Sequence, residues 1–95
     1  MSTVTTTAPT FPTQRTYDRS TGELTIAVDA FPASIDDATV AVGSSRLRIR
    51  IEHDGRVYDR TETPPRSDRA FTTDGKAVYN NGVLTVTVAT TRRSR

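Results

Sequence analysis

Strict alternation of apolar and polar side chains is the feature that most constrains what this chain can fold into. The clearest case is the stretch 46–51, where Leu47, Ile49 and Ile51 alternate with three arginines. The same rhythm occurs at 23–29, at 40–42 and at 83–88. A period of two is typical of strands with one buried face, and the β-branched residues that dominate these runs fit a pleated surface. No window of about twelve residues has the helical period, so the sequence predicts an all-β protein.

All five glycines lie between these apolar runs, where turns are needed. Asp54-Gly55 and Asn81-Gly82 are strong hairpin signals, because such pairs accept the positive φ angles of tight turns. Pro32 and the Pro64-Pro65 pair cannot donate to a strand ladder and are expected to end strands. Short strands separated by turns every ten or so residues are typical of sandwiches. We therefore predict an immunoglobulin-like antiparallel β-sandwich.

The composition limits the size and the chemistry of the domain. The chain has 95 residues, 34% of them hydrophobic, no Cys and one His, so disulfides and Cys- or His-built zinc sites are excluded. We expect one domain at 14–89, a flexible Thr/Pro-rich tail at 1–13 and a basic flexible tail at 90–95. Phe11, the sizeable apolar residue of the first tail, is either a stray or a docking residue. Without a long apolar run or a secretion signal, we expect a cytoplasmic protein with no membrane span.

Arg46, Arg48 and Arg50 form a stripe on one face of their strand, about 7 Å apart, close to the spacing of successive phosphates in a nucleic acid. They are the candidate contacts for an anionic partner. Single-strand binders also need aromatic stacking platforms, and no aromatic residue interleaves with this stripe. The favoured alternative is a solvated face on which the arginines pair across strands with the nearby acids, Glu52, Asp59 and Glu62.

No constellation in the sequence points to catalysis. Asp36 and Asp37 form the adjacent carboxylate pair, but neighbours on an extended chain face opposite ways, so a helical cap is the better interpretation. His53 lies beside the Asp54-Gly55 turn, where we expect it to be exposed, and a lone histidine at a turn is seldom catalytic without a positioned partner. The signature loops for nucleophilic serines, phosphates and calcium are missing. The sequence predicts no enzyme and no cofactor.

The order of these strands and turns resembles the alpha-crystallin domain of the small heat-shock proteins. The most specific piece is 77–86, an Ala, three variable positions and then Asn-Gly-Val-Leu leading into an alternating strand. The stretch 24–32 resembles the strand before the family's Leu-Pro-Gly corner, with Phe31 standing for the Leu. Tyr58-Asp59-Arg60 followed by Thr63-Pro64 resembles the aromatic-x-Arg segment. The resemblance covers residues 16–89.

Three departures from the family pattern bear on assembly. The stretch between Ile51 and Pro64 is too short for the long loop that non-animal members exchange between subunits. The tail at 90–95 has no Ile-x-Ile motif, and the N-terminal arm is brief and rich in Thr. Because those three elements build the family's large oligomers, we expect a monomer or a homodimer.

The resemblance implies an ATP-independent holdase, a chaperone module of the stress response that binds partly unfolded or accessory protein segments. It places the binding groove at Val40, Val42 and Val78, although alternating valines also fit inward core positions. It matches Arg60 to the family's interface arginine, for which a surface ion pair is the alternative.

Two further functions stay open at the level of sequence. One is a dedicated structural or adaptor protein that uses the same sandwich within a specific complex, which the loss of the assembly segments favours. The other, which is less favoured, is a basic β-domain that binds nucleic acid through the arginine stripe and the C-terminal tail.

Overall fold

The computed structural model describes residues 11–92, without the side chains of residues 73 and 74. Seven strands fill most of this range, and all paired strands are antiparallel. In chain order they are β1 (Thr13–Asp18), β2 (Glu23–Asp29), β3 (Ala38–Val42), β4 (Leu47–His53), β5 (Arg56–Glu62), β6 (Arg69–Asn80) and β7 (Val83–Arg92). A single 3-10 turn at Ile35–Asp37 precedes β3. In the described residues no helix is long and apolar enough to cross a membrane.

The strands form two sheets, as the sequence predicts for a sandwich. One sheet has four strands in the order β1-β2-β7-β6, and the other has three in the order β3-β4-β5. The Asp54-Gly55 turn joins β4 to β5, and Asn81-Gly82 joins β6 to β7; all four residues have positive φ. These are the angles that two-residue hairpins with the native strand twist require. The predicted all-β antiparallel sandwich is confirmed.

The core lies between the sheets and consists of the apolar members of the alternating runs. Thirteen apolar residues are buried. They are Leu24, Ile26, Val28, Ala30, Ala33, Leu47, Ile49, Ile51, Tyr58, Phe71, Leu84, Val86 and Val88. Leu24, Ile26 and Val28 face Val88, Val86 and Leu84 in the strand register. Since opposite residues in a register share a face, this central pair of strands presents one continuous apolar surface to the other sheet.

Both ends of the sandwich extend beyond the predicted limits of 14–89. Phe11 packs on the core with its ring centroid 5.3 Å from that of Tyr58, so it is a docking residue. Strand β7 continues to Arg92, because Thr90 is buried and both its backbone N–H and its hydroxyl donate to the Gly22 carbonyl, at 2.8 and 2.6 Å. Two well-placed donors on one carbonyl offset the low apolar content of this final stretch.

Replacing Ile49 by Ala tests how strongly the fold depends on this thin core. The side chain has no exposed surface, so the truncation leaves a cavity and should lower the free energy of unfolding by about 2–5 kcal/mol. That is a large part of the roughly 5–15 kcal/mol typical of a small domain. Urea unfolding followed by circular dichroism measures it. The control, Thr61→Val on an exposed position of β5, should stay within about 0.5 kcal/mol of the wild type; equal losses in both variants would contradict the assigned core.

Candidate binding groove

The two sheets leave a groove between β3 and β6, which are their adjacent edge strands. The groove has a volume of about 210 Å³. Its lining residues are Val40, Val42, Gly75, Lys76, Ala77 and Val86. Neither edge strand pairs with a further strand in the described residues. The groove therefore combines apolar walls with the edges of two sheets, although the Phe71 N–H of β6 already donates to the Ser44 carbonyl, at 2.9 Å.

The absence of a side chain at Gly75 shapes the wall that β6 contributes. A Cβ built at Gly75 would lie 3.5 Å from a methyl carbon of Val42 and 3.6 Å from one of Val88. These are ordinary contact distances, so the glycine leaves roughly a methyl-sized space against both valines. Register in β6 shifts between Phe71 and Gly75, which marks a bulge just before the groove. Bulges bend an edge strand and redirect its side chains.

The structure brings Val40 and Val42 to this groove but places Val78 elsewhere. Val78 is 49% exposed and does not line the groove. In the register with β7, Ala77 lies opposite the buried Val86, while Val78 lies opposite Thr85. Ala77 therefore points to the inner face and Val78 to the outer one, and contact of Val78 with a client stays a prediction. The two-residue turn at Asn81-Gly82 pairs Tyr79 with Leu84 and Ala77 with Val86. The sequence alone therefore indicates that Ala77 shares the inner face with Leu84 and Val86.

The opposite side of the sandwich, between β1 and β5, is bridged by polar contacts. Arg15 Nε donates to Glu62 Oε1 at 2.9 Å, and Arg60 Nε donates to Glu62 Oε2 at 2.6 Å. The hydroxyls of Thr13 and Tyr58 lie 2.8 Å apart. These contacts join one edge strand of each sheet, whereas the β3–β6 side has an apolar groove.

Arg60 lies on the inner face of β5, since its register partner is the buried Ile49. Partial desolvation opposes its charge, but the hydrogen bond to Glu62 and that carboxylate's charge outweigh it, so the pKa of Arg60 is raised. Its ion pair is formed within its own strand. The role of Arg60 in an interface between subunits stays a prediction.

Most of the arginine stripe on β4 is committed to acids on the outer face of the three-stranded sheet. Arg48 holds Asp59 through two hydrogen bonds, of 3.0 and 2.6 Å. The hydrogen bond with Arg48 holds the pKa of Asp59 below its usual range, with further help from the charges of Arg48 and Arg50. Arg50 also lies 3.7 Å from Glu52. The favoured alternative of a cross-paired face therefore describes Arg48 and Arg50.

Arg46 and Glu62 do not take part in the predicted pairing across the outer face. Arg46 is exposed, and none of the described carboxylates forms an ion pair with it. Glu62 lies on the inner face, where its register partner is Leu47, and it pairs with Arg15 and Arg60 instead. A phosphate partner would have to displace the acids from two of the three stripe arginines.

His53 has a positioned partner that sequence reasoning missed. Its Nδ1 lies 2.9 Å from Asp37 Oδ2, and the same carboxylate oxygen accepts a hydrogen bond from the Ser34 backbone N–H at 2.9 Å. Asp37 thus caps the 3-10 turn, as predicted for the acidic pair, and also anchors the end of β4. Sixteen positions separate the two residues, so only folding reveals the contact. Both partners hold loops in place, which is a structural role.

Comparison with known proteins identifies the fold. No family model matches the sequence, and no curated protein matches it. Among solved structures, the chain is similar to the Del-C4 mutant of hsp14.1 from Sulfolobus solfataricus, with a TM-score of 0.66 and 22% identity over 84% of this chain and 75% of that one. A second hsp14.1 mutant gives a TM-score of 0.65 and 20% identity over 84% of this chain and 77% of that one. The chain therefore has the β-sandwich fold of the small heat-shock proteins, as its sequence pattern predicts.

The contacts of Asp37 predict how stability depends on pH. Hydrogen bonds from Ser34 and then from His53 lower the pKa of Asp37. A carboxylate with a lowered pKa stabilises the folded state above its unfolded pKa of about 4, and the contribution is lost as pH falls through the folded value. Asp37→Asn should therefore lower the urea midpoint at pH 7 and reduce its decline between about pH 5 and pH 2.

A matched variant separates this contact from a general effect of charge. Asp36 is the exposed neighbour of Asp37. Replacing Asp36 by Asn removes the same charge as Asp37→Asn does. Urea midpoints of Asp36→Asn should follow the wild type across the series. If both variants changed the acid limb equally, the Ser34 and His53 contacts would not be the cause.

Proposed function

We propose that this protein is an ATP-independent holdase, which binds extended segments of partly unfolded proteins in the groove between β3 and β6. The observation that carries the proposal is that apolar walls, formed by Val40, Val42 and Ala77, lie between the edge strands of the two sheets. A segment added to an edge gains backbone hydrogen bonds whatever its sequence, and apolar pockets select its larger side chains. Such a site suits many clients because little of its affinity depends on one particular sequence.

The size and openness of the groove support binding of side chains rather than enclosure of a whole ligand. Its volume of about 210 Å³ is below the ~300–1,000 Å³ of pockets that enclose small molecules. Val40 and Val42 are half-buried, so part of each side chain remains open to a bound segment. Lys76 adds one positive charge at the rim. Acidic or neutral extended segments should therefore be preferred over basic ones.

The fold supports the same proposal, because the two similar structures are heat-shock proteins. Holding a client requires no catalytic group. It does require an apolar groove that stays open in the folded state, and the groove-lining residues other than Val86 lie outside the buried core.

A charge placed in the groove should abolish holding without unfolding the sandwich. Ala77→Glu puts a carboxylate on the inner face of β6 at an exposed position, where it should repel apolar segments. Val78→Glu adds the same charge one residue away on the outer face and is the control. We expect the wild type and Val78→Glu to suppress aggregation of a heated model protein at equimolar amounts without ATP. Ala77→Glu should lose most of that protection, as measured by light scattering.

Circular dichroism and urea midpoints establish that both variants are folded before the assay. No protection by the wild type would contradict the holdase proposal. Equal protection by both variants would mean that clients bind outside this groove. Tight binding of one partner without protection of the model protein would instead support the dedicated adaptor, and sedimentation across a concentration series would show whether either activity needs a homodimer.

A further inference from the structure

A second concave site lies where the β1–β2 turn, the β5–β6 loop and the last residues of β7 meet. It has a volume of about 600 Å³. Its lining residues are Tyr17, Arg19, Arg66, Asp68, Arg69 and Arg92. We call this set the arginine pocket. None of its residues lines the groove described above, so it stands independently of the proposed function.

The charge of the arginine pocket is strongly unbalanced. Four guanidinium groups face one carboxylate, that of Asp68, which already accepts a hydrogen bond from Arg66 Nε at 3.1 Å. Arg69 and Arg92 are directly opposite each other in the β6–β7 register. Like charges in directly opposite positions destabilise a sheet. A dianion between them would replace that repulsion with attraction.

Arg69 contains one unsatisfied hydrogen-bond donor. Its Nε is buried, and no described residue accepts a hydrogen bond from it. A buried donor of a charged group costs free energy when it is left unpaired. The guanidinium lies close to Gly22, since a Cβ there would lie 2.7 Å from its Nη2. Gly22 has a φ of 75°, a backbone conformation that favours glycine.

Tyr17 adds a hydroxyl to the same pocket. A hydrogen bond with the Thr90 side chain lowers the pKa of the Tyr17 phenol, Arg69 lowers it further through a hydrogen bond and its charge, and Arg66 does so through its charge alone. Thr90 in turn is anchored on the Gly22 carbonyl. The phenol is thus positioned by the end of β7 beside two of the arginines.

We propose that the arginine pocket binds a small anion with linked phosphoryl groups, such as pyrophosphate or tripolyphosphate. Guanidinium forks match phosphate oxygens and donate two parallel hydrogen bonds at a time, which suits four arginines around one anion. The volume lies within the range of small-molecule pockets, about 300–1,000 Å³, and exceeds what a single phosphate needs.

Isothermal titration of the full chain with pyrophosphate and with tripolyphosphate tests this proposal. We expect one saturable site whose affinity falls as sodium chloride is raised, because binding neutralises charge. Arg69→Met and Arg92→Met keep the apolar stem and should each weaken binding about tenfold or more, the usual loss for a charge-assisted hydrogen bond. Arg19→Met, in the exposed β1–β2 turn, should weaken binding in the same direction and is a variant with little risk to folding.

Arg46→Met is the matched control, since it removes the same charge from an exposed position just before β4 of the other sheet. It should leave the pyrophosphate affinity unchanged. The absence of saturable binding would overturn the proposal, as would equal weakening by Arg46→Met and by the pocket variants. Tighter binding of oligothymidylate than of tripolyphosphate at equal phosphate concentration would overturn it in favour of a nucleic-acid partner. Unchanged client protection by Arg92→Met would separate this site from the groove.

Discussion

The fold depends on a single thin apolar layer that is formed mainly by the inner faces of the central strands, while β1 and β3 contribute no fully buried side chain. The central strands β2 and β7 supply six of the thirteen buried apolar residues from the four-stranded sheet, and β4 supplies three from the other. Because side chains alternate along a strand, each buried residue sends its neighbours outward. The core therefore determines which residues reach the surface, including those of both proposed sites.

The edge strands on the two open sides of the sandwich carry different kinds of side chain. Between β1 and β5, Arg15, Arg60 and Glu62 form a chain of charge-assisted hydrogen bonds across the gap. Between β3 and β6, valine and alanine side chains meet with a methyl-sized space left at Gly75. Charged edges discourage strand addition, whereas apolar edges invite it. This asymmetry gives the protein one side suited to accepting an extended segment.

The arginines are distributed just as unevenly as the edges. On the outer face of the three-stranded sheet, Arg48 and Arg50 are matched by Asp59. In the arginine pocket, four arginines share one carboxylate, and a buried nitrogen of Arg69 is left unpaired. Two of the three stripe arginines thus lie on a face with paired acids. The four arginines of the pocket instead form a cationic site. A net charge of +2 for the whole chain conceals this difference.

The sequence by itself determined the strands, two hairpins and the choice of buried face, because alternation and turn residues act over a few neighbours. Those signals predict the sandwich, the Asp37 cap and the place of Val40 and Val42. Counted from the Asn81-Gly82 hairpin, the same alternation places Ala77 and Val78 on opposite faces of β6. Only the tertiary structure decided which distant residues meet: Asp37 with His53, Glu62 with Arg15, and Arg69 with Arg92 and Tyr17. Such contacts depend on how the sheets stack and how their ends converge, and no local period of the chain encodes that geometry.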